Sequence, residues 1–228
     1  MNFSQVFKDS ISFPFTDIKK FLKVFLLYLG CFLIIPGLMA LGYSLRIIQS
    51  TIAGSDELPD FDEYAQLISD GLNYVGASII YGIPVYALIF LLIFSGNPNF
   101  ATNLFSLSVL TVIVGFIIDI VFLLALANMA IEEKFRAVFD FKKIFAMIKK
   151  IGWGNYLFYL VVYTIIVQVL TAVVTSANPY LTTMIGTISG LALYILIYFL
   201  FNTFMILFGG RFRGLIYKKG IENQDNVD

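Results

Sequence analysis

The sequence predicts an all-α integral membrane protein: two transmembrane helical hairpins, an N-terminal re-entrant or kinked helix, and amphipathic helices lying in the interface. Three observations predict it. Charged residues make up 13% of the 228, where a soluble domain carries about a quarter. Mean hydropathy is +0.88, and 24 Phe and 13 Tyr leave too little polar surface to coat a water-soluble globule. The fifteen basic residues fall in alternate connections between apolar stretches.

Met1–Lys20 has no apolar core and no small-residue cleavage site, so no cleavable signal is expected. The first apolar stretch, Val24–Leu45, is interrupted at Pro36-Gly37 and has basic residues on both sides. A full crossing would put Lys8, Lys19, Lys20 and Lys23 outside and leave eleven basic residues inside. A stretch that dips in and turns back at Pro36-Gly37 keeps all fifteen inside. The second arrangement suits the positive-inside rule better, and protein must then shield the turn. Pro-containing straight spans keep the kinked alternative open.

Four further stretches, Leu72–Phe94, Leu104–Ala130, Trp153–Thr175 and Leu181–Phe208, reach the ~20 apolar residues that a ~30 Å hydrocarbon core requires. Tyr74, Trp153, Tyr156 and Tyr180 stand near their ends as interfacial anchors. The connections Ser95–Asn103 and Ser176–Thr182 carry no charge, whereas Glu132–Gly152 holds six Lys or Arg and the C-terminal end holds Arg211, Arg213, Lys218 and Lys219. The basic connections and both termini are therefore expected in the cytoplasm and the protein in the cell membrane, as a multi-pass chain.

A threefold pattern divides this single membrane domain into 1–54, 55–139 and 140–228. Each part reads as an amphipathic lead-in, a membrane hairpin and a basic exit: Phe15–Phe25 parallels Phe139–Leu160, and Arg46, Arg136 and Arg211 close the three units. Asp60 is expected to cap a helix reciprocally with Glu63. Phe61, Tyr64, Leu67, Ile68 and Leu72 would then line one face of an interfacial helix.

The stretch Gly42–Tyr74 resembles a mainly archaeal membrane-protein family catalogued as domain of unknown function number four-thousand-and-thirteen. The residues carrying the likeness are Gly42, Tyr43 and Arg46, then Leu58, Pro59, Phe61 and Asp62, then Asp70, Gly71 and Leu72. Phe13–Lys23 and Phe139–Lys150 are similar to two further segments of it. Tyr64 stands where Trp is expected. The resemblance implies an architecture and no activity.

Candidate sites are few. The chain has no His and a single Cys, Cys31, so disulfides within the chain are excluded and a metal site would rest on carboxylates alone. No metal site, cofactor or catalytic set is expected, and zero net charge implies no nucleic-acid partner. Asp119 lies mid-span, with Ser108, Thr111 and Gly115 on its helical face. The bland reading, a carboxyl pinning helices together, takes precedence over a proton or cation relay. Arg46 is its expected charge partner, and Asn128, Gln168 and Asn202 are other intramembrane polar residues. Lys19, Lys20, Lys142, Lys143, Lys149 and Lys150 are candidate contacts for anionic headgroups. Gly186-x-x-x-Gly190 suits close packing within the chain or a homodimer. The leading functional reading is a non-enzymatic component that organises lipid or partner proteins; the alternative is a small transporter or channel using Asp119.

Overall fold

The computed structural model describes residues 2–94 and 100–225, and the side chains of all of these except 92, 100–108, 224 and 225. Asn97, Ser108 and Asn226 therefore lie outside the described side chains, as does most of the connection expected at Ser95–Asn103. Eight α-helices and no strand occur among the described residues.

Helix α1 (Phe3–Ser12) opens on a reciprocal cap: Asn2 accepts from the Gln5 N–H and Gln5 accepts from the Asn2 N–H. Asp17 caps α2 (Ile18–Leu29) by accepting from the N–H groups of Lys19 and Lys20. The apolar stretch 24–45 is broken ahead of Pro36. Gly30 ends α2, a 3-10 turn covers Cys31–Leu33, and Ile34 takes φ +65° before α3 (Ile35–Ile52). Pro36 stands in the first turn of α3, where its missing N–H leaves no bond unmade. The proline starts the second helix and does not make the break. Helices α2 and α3 pack against each other.

Helices α4 (Tyr64–Phe94), α5 (Phe100–Glu132), α7 (Trp153–Ile185) and α8 (Thr187–Asp225) are each long and apolar enough to cross a membrane. Helix α6 (Phe141–Ile151) is short and capped by Asp140, which accepts from the Lys143 N–H. It buries Ile144, Met147, Ile148 and Ile151 against α5, α7 and α8 while Lys142, Lys149 and Lys150 stay exposed.

Two local expectations are corrected. Asp60 caps no helix: residues 53–63 are irregular, its carboxylate pairs with Lys20, and α4 begins at Tyr64 and runs unbroken into the span. A cation delivered by another helix outcompetes the local N–H groups for the carboxylate. The uncharged turn placed at Ser176–Thr182 lies later, because α7 continues through Pro179 to Ile185. Gly186, at φ +88°, makes the reversal. Gly190 packs within the chain, its hydrogen facing the Leu181 carbonyl so closely that a Cβ would stand 2.4 Å from it.

Helix α3 contacts α2, α4, α5 and α8. The buried core lies at the basic end, where Leu45 and Ile48 meet Leu124, Leu126, Ile148, Phe208, Phe212 and Ile216. Toward the opposite end Phe90, Leu91, Phe94, Met184 and Ile188 are exposed. Lipid is the solvent that such a surface fits.

Candidate functional site

The irregular loop after α3 carries five of the chain's acids, and basic residues from three helices hold it down. Lys20 of α2 donates to the Leu58 carbonyl at 2.6 Å and pairs with Asp60 at 2.8 Å. Tyr43 of α3 donates to the Pro59 carbonyl at 2.7 Å, and its ring stacks on Phe61 at 4.3 Å. Arg46, one turn on, donates to the carbonyls of Asp60 and Asp62 and pairs with the Asp62 carboxylate. Leu58 is buried beneath them. Arg211 of α8 fixes the loop's start: it forks onto both oxygens of Asp9, pairs with Asp56 at 2.6 Å, donates to the Ser55 carbonyl, and lies over the Phe13 ring at 4.6 Å.

Four of the loop's five acids, Asp56, Asp60, Asp62 and Glu63, are thus paired from inside the chain. The hydrogen bond from Lys20, with that ammonium's charge, holds the Asp60 carboxyl below the usual carboxylate range. A carboxyl depressed in the folded state stabilises the fold above the unfolded value of ~3.9, and that contribution is lost as pH falls through the folded-state value. A nitroxide on the exposed Glu57→Cys should therefore keep one mobility between neutral pH and about pH 5 and loosen only below ~4. In Lys20→Met the label should be mobile at every pH; a variant as ordered as the parent would disprove the clasp.

Arg46 and Asp119 do not pair, because Arg46 is engaged by Asp62 and, at 3.7 Å, Glu63. Asp119 instead lines a cavity of about 430 Å³ with Thr111, Gly115, Thr164 and Gln168. Asn128 lies elsewhere, fully buried: it donates to the Ala137 carbonyl at 2.7 Å and accepts from the Tyr217 hydroxyl at 3.0 Å. Those bonds tie the segment Phe135–Phe139 to α5 and α8, a bracing role. Asn202 lines a second cavity, of about 310 Å³, with Tyr28, Ser44, Tyr74, Tyr163, Thr171 and Arg213. Asp119, Arg46, Asn128 and Asn202, the candidate intramembrane polar residues, thus stand in four places. Arg213 is the residue that sequence reasoning missed. It reads in sequence as part of the basic tail, but α8 stays helical through it, and it lines the second cavity beside Tyr163.

The sequence model of a described family matches residues 25–178, two thirds of the chain. The chain belongs to the DUF4013 family of proteins of unknown function. The matched part of this DUF4013 protein takes in α3 to α6 with parts of α2 and α7, so Arg211 and Arg213 of α8 lie beyond it. The chain is also similar to the uncharacterized protein MJ1189 of Methanocaldococcus jannaschii, at 30% identity over 147 residues, 62% of this chain and 50% of that one. It thus spans about half the length of that relative. No solved structure matches.

Among the lysines expected at headgroups in this DUF4013 protein, two are engaged within the chain. Lys20 serves the loop and Lys143 pairs with Glu132. Lys19, Lys142 and Lys149 are exposed on α2 and α6, and Phe141, Phe145 and Trp153 are exposed on and next to α6. No group of three or more potential metal ligands occurs among the described residues.

Proposed function

We propose that this DUF4013 protein is a non-enzymatic multi-pass component of the cell membrane that organises lipid around a half-bilayer hairpin formed by α2 and α3. The observation that carries the reading is the hairpin tip. Phe32, Leu33 and Ile34 are 78%, 61% and 70% exposed, at the end of a helix of 12 residues, or ~18 Å at ~1.5 Å per residue. That length reaches little beyond the middle of a ~30 Å core. The clasp of Lys20, Tyr43 and Arg46 anchors the hairpin's base, and exposed Lys19, Lys142 and Lys149 supply the charge that anionic headgroups attract. Both termini and all basic connections then face the cytoplasm, with 1–54, 55–139 and 140–228 as three units of one domain.

Cys31, the chain's one cysteine, sits in the tip and gives a native probe. A fluorophore there should be quenched most by lipids labelled deep in the acyl chains. On a Cys31→Ala background, Thr187→Cys should react with an impermeant thiol reagent from outside, and Gln5→Cys should not. Reaction at Gln5 from outside would replace the hairpin by a simple span. Reconstituted protein should change lipid order or vesicle curvature, and Phe32→Asp with Leu33→Asp should abolish the effect.

A transporter is the second reading, supported by two intramembrane cavities holding Asp119 and Arg213. Solute uptake into the same vesicles, lost in Asp119→Asn, would establish it over the first.

A further inference from the structure

Arg211 and Arg213 are two residues apart on one helix and have opposite circumstances. Arg211 is saturated by Asp9, Asp56 and Ser55. Arg213 has no ion pair among the described residues, and its Nε is buried without a hydrogen-bond partner. An arginine brings five donors in a fixed fork, and burying even one of them unmatched is costly. The fold makes room for this one. A Cβ at Gly209, one turn back along α8, would stand 2.8 Å from the Arg213 Nη1 and 3.1 Å from the Tyr163 hydroxyl. The guanidinium therefore folds back over Gly209 toward the interior of the span Thr187–Asn223. It enters the cavity of about 310 Å³.

The lining of that cavity has two characters. Tyr28, Ser44, Tyr74, Tyr163, Thr171 and Asn202 bring hydroxyls and an amide. Leu41, Val167, Phe201, Met205 and Ile206 bring apolar wall. A cation and several neutral donors, without a carboxylate among the lining residues, suit an oxyanion; the apolar wall suits the hydrocarbon attached to it. We infer that the cavity between α2, α3, α4, α7 and α8 is a binding site for the phosphate of an anionic lipid headgroup, with Arg213 as its charged anchor and Gly209 as the residue that keeps the space open. The inference rests on the membrane placement of the bundle but not on the hairpin tip, so each can fail alone.

The experiment measures lipid binding to the full chain in neutral detergent, by native mass spectrometry and by thermal shift. Phosphatidylglycerol, phosphatidylcholine and inorganic phosphate are the probes. The parent should retain one phosphatidylglycerol at least tenfold more tightly than phosphatidylcholine. Arg213→Gln should lose that preference. Arg213→Lys should keep only part of it, since an ammonium cannot fork onto two oxygens. Gly209→Val retains the charge but fills the space, and it should weaken binding too; it serves if Arg213→Gln does not fold. Lys142→Ala with Lys149→Ala controls for surface attraction and should leave the tight site intact. Competition by millimolar phosphate would show that the free anion enters, and its failure would assign the site to the lipid; both results support an oxyanion site. Two results overturn the proposal. One is undiminished phosphatidylglycerol binding in Arg213→Gln and Gly209→Val. The other is no preference in the parent, which would mean that Asp119 balances Arg213 internally. Loss of lipid ordering in the Phe32 and Leu33 variants, with this binding intact, would separate the two proposals.

Discussion

Replacing Gly42 or Gly71 by alanine should destabilise the protein more than any other single methyl group added to it, by about 3 kcal/mol or more in each case. The two glycines face each other's helix where α3 crosses α4. A Cβ on Gly42 would lie 2.0 Å from the Leu67 carbonyl oxygen, and one on Gly71 would lie 2.0 Å from that of Leu38. Both obstacles are helix backbone, which cannot swing aside as a side-chain end can. Relief requires the two axes to separate, and that would also withdraw Tyr43 and Arg46 from the loop they hold. Gly115→Ala and Gly154→Ala are the matched controls. Nothing lies within 4 Å of a Cβ at either position, and alanine's better helix propensity is worth at most about 1 kcal/mol there. Unfolding in mixed micelles, followed by Trp153 fluorescence, should show the first pair strongly shifted and the second nearly unmoved. Equal effects in the two pairs would mean that α3 and α4 do not cross on their glycines.

Arg211→Met should cost about 3 kcal/mol or more, because it removes the centre of a buried ionic network. Arg211 is 2% exposed and joins α1, the Phe13 turn, the acidic loop and α8. Its partners are unequal, and the inequality makes the prediction sharp. Asp9 is 30% exposed and takes both prongs of the fork, so Asp9→Asn should cost about 1–3 kcal/mol. Asp56 is 87% exposed, water replaces its contact readily, and Asp56→Asn should cost no more than about 1 kcal/mol. Limited proteolysis gives an independent readout: α1 should be released first in Arg211→Met, next in Asp9→Asn, and not in Asp56→Asn. An effect of Asp56→Asn as large as that of Arg211→Met would contradict a network centred on the arginine.

The sites show why polar function was harder to read than architecture. Asp119 was conspicuous because four apolar neighbours surround it in sequence. Arg213 was not, because Arg211, Lys218 and Lys219 flank it and the group reads as an ordinary basic tail. The signal that was available is the glycine pair just before it, Gly209-Gly210, in an otherwise bulky stretch. Gly210 fits against Ile47 and the Ser44 carbonyl of α3, and Gly209 leaves space for the guanidinium. Arg46 pairs with Asp62 and not with the expected Asp119 for a related reason. Its position on α3 was legible, but its partner depends on where the loop 53–63 returns.

Composition and the spacing of apolar residues were enough, by themselves, to determine a helical chain with four segments able to span a bilayer, because segment length and burial of backbone polar groups follow from local sequence. The break in 24–45 was legible too, displaced by a few residues since Pro36 signals a helix start as readily as a kink. Tertiary structure decided the rest. Asp60 could serve its own helix end or a distant lysine; Gly190 could face a second copy or α7; Arg213 could lie in water or fold back into the span. Asp60 meets Lys20 of α2, Gly190 meets the backbone of α7, and Arg213 meets the space that Gly209 leaves; each of these neighbours is brought close only by packing, and so none is legible in the local sequence.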